Sequence, residues 1–136
     1  MRQKWCLTHA DVVRMATACR EAALARQLPV TIAIVDDGGF LLHLERLDAR
    51  ASTVDVALGK ARTAALMRMP SANLEDLLKD MPGILALDAT PLRGALPLLV
   101  GEDCVGAIGV SGAAPLDDEL IAEAGRQVLQ SPAVGH

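Results

Sequence analysis

His43 and Glu45 stand two residues apart in a stretch that reads as a strand, so their side chains share one face. An imidazole beside a carboxylate suits a metal or haem-iron ligand, because the carboxylate fixes which ring nitrogen carries the proton. The plainer alternative is a surface ion pair at a sheet edge. Arg46 and Asp48 follow at the strand's end. Arg46 could clamp a carboxylate through its planar fork, and the pair could equally order the loop. Lys60 lies in a helical stretch of small apolar residues. There it either aims its ammonium into a pocket or packs its stem and reaches water. Asp48 and Lys60 are the candidates for an acid or base, if burial tunes them.

A further set is the run Gly106-Ala107-Ile108-Gly109-Val110-Ser111-Gly112-Ala113. Its small residues let a helix or a ligand approach closely. Ser111 and Gly112 lie just before a helix start, where free backbone N–H groups can hold an anion. Thus Arg46, Asp48, Lys60, Ser111 and Gly112 form the candidate ligand-binding set. His43 is the candidate axial ligand to haem. His9 and His136 read as an exposed helix-start residue and a tail residue. Cys104 reads as a small hydrophobe, and Asp117-Asp118-Glu119 as a solvated helix cap.

These residues need elements to position them. Thr8-His9-Ala10-Asp11 reads as a capping box opening a helix over 9–27, which Pro29 stops. Val30 to Val35 is a β-branched run, Asp36-Asp37-Gly38-Gly39 a turn, and 40–46 the returning strand. A second helix is expected over 52–68, and a shorter one over 72–80 capped by Ser71. Between Pro82 and Pro97 the composition is that of a loop, with a short strand near 84–87. Residues 98–100 and 104–110 form a second hairpin. A last helix runs from 117 to 130, and 131–136 is a fraying tail. Strands in adjacent pairs, not alternating with helices, predict an α+β fold with an antiparallel sheet covered by helices.

Composition narrows the class. The 136 residues fit one domain spanning 1–136, and 51% apolar content excludes disorder. Thirteen Lys and Arg against seventeen Asp and Glu, with only 1% aromatic residues, argue against nucleic-acid binding. Three scattered cysteines suggest reduced thiols in a cytoplasmic protein. No secretory leader or apolar membrane span is legible. P-loop, dinucleotide, nucleophile-elbow and zinc-protease motifs are absent.

Five segments together resemble one family. Ile34-Val35-Asp36-Asp37-Gly38-Gly39 resembles its "V-V-D-x-x-G" hairpin, and Arg46-Leu47-Asp48 its "R-M-D" signature. Lys60-Ala61-Arg62-Thr63-Ala64 resembles its "K-A-x-T-A" helix, and the Gly106–Ala113 run its "G-A-I-G-V-S-G" strand. Asp118-Glu119 with Ala122-Glu123-Ala124-Gly125 resembles its "D-E-x-x-A-x-A-G" helix. In this order, over about residues 8–128, they identify the chain as similar to the GlcG/HbpS-like group, which includes the C-terminal domain of PduO-type proteins. The chain departs from the pattern at Ala49, where the family has Gly, at Gly94-Ala95-Leu96-Pro97, and in a stretch before Lys60 one residue shorter. Ser52 or Thr53 then fills the small hydroxyl position there.

The resemblance implies a profilin-like fold with a sheet of about five strands, and a homo-oligomer. It also implies a small-ligand-binding role, with haem or iron as the ligand, in a catabolic context. Two other readings stand beside it. One is an enzyme, of lyase or isomerase type, acting on a small organic acid. The other is an oligomeric accessory protein. Arg50 or Arg93, with Arg46, would supply charges for haem propionates.

Overall fold

The computed structural model describes residues 1–130. The chain forms helix α1 (His9–Ala25), strands β1 (Thr31–Asp36) and β2 (Leu41–Arg46), and helices α2 (Ser52–Met67) and α3 (Ser71–Leu77). A 3-10 turn (Pro82–Ala86), strands β3 (Ala95–Val100) and β4 (Asp103–Ser111), and helix α4 (Pro115–Gln130) complete it. The four strands form one sheet in the order β2-β1-β4-β3, every neighbour antiparallel. The α+β class is as expected, but among the described residues the sheet has four strands and not five. The missing strand is the one expected near 84–87. Pro82 sits at the start of a 3-10 turn there, and Ile84 alone of that turn is buried. A short apolar run flanked by Pro and Gly carries no period that separates the two outcomes.

Local chemistry explains the other elements. Thr8 Oγ1 accepts from Asp11 N and Asp11 Oδ2 accepts in turn from Thr8 N, so the capping box forms as expected. Asp36 Oδ1 accepts from Gly38 N and Phe40 N, which closes the β1–β2 turn. β3 begins earlier than expected and carries Pro97, which an edge strand tolerates because one side of it needs no ladder bond. α3 ends at Leu77, three residues short of the expected end. Ser71 does not cap α3; its hydroxyl accepts from Ala95 N and so ties α3 to β3. The tail read over 131–136, His136 included, lies outside the described residues.

The two faces of the sheet differ. On one, Ile32, Ile34, Leu98 and Ile108 pack with Met15 and Cys19 of α1 and Ile121 of α4. Burying each large aliphatic contributes about 1.5–3 kcal/mol, so this layer is the main apolar stabiliser. On the other, Ala33, Val35, Ala95 and Ala107 meet Ala57, Ala61, Ala64 and Ala65 of α2. Side chains that small bury little area each, and they let α2 lie almost on the strands. A Cβ on Gly109 would run into the backbone of Ala57 and Ala61. Leu42 and Leu44 of the edge strand β2 stay exposed.

Candidate functional site

The close approach of α2 puts Lys60 beside the C-terminal end of β4. Lys60 keeps 4% of its surface exposed and Asp118 of α4 keeps 2%. Lys60 Nζ donates to Val110 O at 3.0 Å and to Asp118 Oδ2 at 3.3 Å. Asp118 Oδ1 accepts from Ala113 N at 3.0 Å. The two charges thus hold the turn Ser111-Gly112-Ala113 from both ends. Gly94 leaves room for this. At φ +134, a Cβ there would lie 2.7 Å from Val110 O and 2.8 Å from Lys60 Nζ, inside van der Waals contact.

Burial pushes the Asp118 carboxyl above its ordinary 3.8, and the Ala113 N–H and the Lys60 ammonium pull it partway back. A charge pair taken from water costs several kcal/mol per ion before its partners offset it. Asp118 was expected to be a solvated cap residue. Three consecutive acids at a helix start give no sign that one of them turns inward.

The braced turn floors an open cleft of about 660 Å³. Its opposite wall is the loop from Asp48 to Thr53. This wall is also tied down. Arg46 Nε donates to Ala49 O at 2.7 Å, and Thr53 Oγ1 donates to Arg50 O at 2.6 Å. Because the Thr53 proton is committed there, Thr31 Oγ1, fully buried, is the donor in its 2.8 Å bond to Thr53 Oγ1. Asp48 sits at φ +55, a conformation that Asp tolerates better than most residues. Gly112, at φ +132, has no room for a Cβ against Pro29 O.

Of the residues singled out from the sequence, Asp48, Ser111 and Gly112 line this one cleft. Lys60 lies behind the floor, and Arg46 lies behind the loop with its guanidinium on a carbonyl. Among the described residues Arg46 forms no ion pair with Asp48. His43 is not in the cleft lining. Its Nε2 is buried with no hydrogen-bond partner, 3.8 Å from Glu45 Oε1. Glu45 is in turn held by Arg20 Nε at 3.0 Å and 3.1 Å. Thr31 carries no signal in the sequence, and Asp118 reads there only as a cap residue. Asp118 does fall in the segment that resembled the family's final helix.

The remaining candidates fall away from the cleft. His9 opens α1 and is exposed. Cys104 is half-buried and its thiol donates to Gly106 O at 3.3 Å. Burial pushes the Cys19 thiol up to about 12, which leaves it unreactive. Among the described residues no three His, Cys, Asp or Glu side chains gather as a metal site, and no helix is long and apolar enough to cross a membrane.

The fold and the sequence of this antiparallel four-stranded α+β domain have known relatives. The chain belongs to the HbpS-like family, whose model, described as "Haem degrading protein HbpS-like", matches residues 7–127. Protein GlcG of Escherichia coli K12 is 34% identical over 114 residues, 82% of this chain and 85% of that one. A solved double mutant of HbpS from Streptomyces reticuli superposes with TM-score 0.88 at 32% identity, covering 100% of this chain and 92% of that one. A structure described as a PduOC:heme complex superposes with TM-score 0.84 at 25% identity, covering 91% and 95% of the two chains.

Proposed function

We propose that this protein binds a small ligand in the cleft between Asp48–Thr53 and Ser111–Ala113, and that the ligand is a small organic acid. One observation carries the reading: a buried ion pair braces the floor of a cleft that stays open. Ion pairs of this kind are poor stabilisers, and a fixed floor lowers the entropy a ligand must overcome. Arg50 offers a cation to a carboxylate, and Ser52 and Ser111 offer hydroxyls. Asp48 is the group at the cleft placed to exchange a proton with the bound acid, and Lys60 and Arg46 act behind it as positioning residues. Thermal-shift titration with lactate and succinate tests the reading. Saturable stabilisation that Arg50→Ala abolishes supports it, and no response from the wild type contradicts it.

Haem is the second reading, favoured by the family's description and by the relative described as a haem complex. The cleft itself fits haem poorly. Its lining offers iron only carboxylate and hydroxyl oxygens, and no imidazole, thiolate or thioether. The imidazole of His43, elsewhere on the sheet, is the better donor. Self-association belongs to the same picture. Leu42 and Leu44 expose an apolar face on an edge strand that a second copy would cover.

A further inference from the structure

A second cavity, of about 400 Å³, opens between α3 and α4 beside the edge strand β3. Leu96 and Leu120 give it an apolar floor. Glu119, Glu123 and Arg126 recur at i, i+4 and i+7, so α4 turns all three to one side, into the lining. Arg93 completes the ring of charge from the loop before β3. That loop is held in place, because Arg93 N donates to Glu75 Oε2 at 2.8 Å.

The charges come in two half-buried pairs. Arg93 Nη1 meets Glu119 Oε1 at 3.4 Å, a loose contact that leaves Glu119 with acceptor capacity to spare. Arg126 gives a terminal nitrogen to Glu123 Oε2, yet its buried Nε has no hydrogen-bond partner. A buried guanidinium N–H calls for an acceptor. Two cations and two carboxylates cancel around the cavity. A simple anion here meets the glutamates, and a simple cation meets the arginines. A ligand that carries one charge of each sign satisfies both, provided its remainder suits the apolar floor.

We propose that this cavity binds an α-amino acid with an aliphatic side chain. Its carboxylate accepts from Arg126 Nε, its ammonium donates to Glu119, and its side chain lies on Leu96 and Leu120. The site shares no lining residue with the cleft and does not rest on the small-acid reading.

Isothermal titration of the purified protein with L-leucine tests it. The wild type is expected to give saturable binding at one site. Isocaproate, which lacks the ammonium, and isoamylamine, which lacks the carboxylate, are expected to bind far more weakly. Arg126→Gln and Glu119→Gln are each expected to weaken L-leucine binding by about 10–100-fold, with the wild-type fold kept by circular dichroism. Arg126→Lys, which keeps the charge and loses the Nε–H, is expected to fall between the wild type and Arg126→Gln. No saturable binding of L-leucine to the wild type overturns the proposal. So does binding that is unchanged in both Arg126→Gln and Glu119→Gln, or isocaproate binding as tight as that of L-leucine.

Discussion

Lys60 Nζ lies 3.3 Å from Asp118 Oδ2, and both side chains are almost wholly shut off from water. The partners are 58 residues apart and come from opposite layers of the sheet. Their remaining bonds, to Val110 O and from Ala113 N, fall on either side of Ser111 and Gly112. The pair is thus a brace for one turn.

Removing one member leaves a buried charge alone. Lys60→Met is expected to cost about 3–5 kcal/mol, measured by urea unfolding. The double variant Lys60→Met/Asp118→Leu removes both charges and is expected to recover much of that loss. It still leaves Ala113 N without its acceptor, so ligand response stays impaired. Full recovery of binding in the double variant would show the brace to be packing only.

The acidic side of the pair has a pH signature. The folded-state value of Asp118 lies above its ordinary 3.8. A raised carboxyl favours the folded state below its unfolded value, and that contribution is lost as pH rises through the folded one. Wild-type Tm minus Asp118→Asn Tm is therefore expected to grow as pH falls from neutrality towards 3.8. Ligand affinity runs the opposite way, because protonation takes the anion from Lys60. A Tm difference that shrinks on acidification would contradict the assignment.

The far wall of the cleft depends on a hydroxyl chain. Thr53→Val removes both the bond to Arg50 O and the acceptor for buried Thr31. A loss of about 1–3 kcal/mol is expected, with a weaker ligand response. Ser111→Ala, at the cleft surface, is expected to change stability little and ligand affinity clearly. Equal effects of the two on stability, read by calorimetry, would count against this division.

Gly94→Ala tests the niche that admits the ammonium. The new Cβ meets Val110 O and Lys60 Nζ at a φ that side chains avoid. A loss of at least about 1–3 kcal/mol is expected from strain, with the ligand response lost too. A neutral result would mean that the niche has slack.

How much of this was legible follows from the physics of each part. The β1–β2 hairpin was, because Asp36-Asp37-Gly38-Gly39 specifies its own turn through local bonds. The α1 start was, for the same reason at Thr8 and Asp11. The stretch 84–87 was not, since Pro82 and a four-residue apolar run leave strand and 3-10 turn equally open. Within the cleft, Asp48, Ser111 and Gly112 stood out as polar or small residues at element ends. Thr31 did not, because a threonine inside a β-branched run looks like strand propensity. Lys60 was suspect for its apolar setting, yet its partner was hidden among three acids at a helix start. Only the fold, which brings Lys60 of α2 to Asp118 of α4 beside the end of β4, separates Asp118 from its neighbours.

The most direct test of the braced cleft as a ligand seat is amide shift mapping during a lactate or succinate titration. The account predicts saturable shifts at Ser111, Gly112, Ala113 and along 48–53, lost in Lys60→Met/Asp118→Leu. Unmoved cleft amides, or saturable shifts confined to another face, would contradict it.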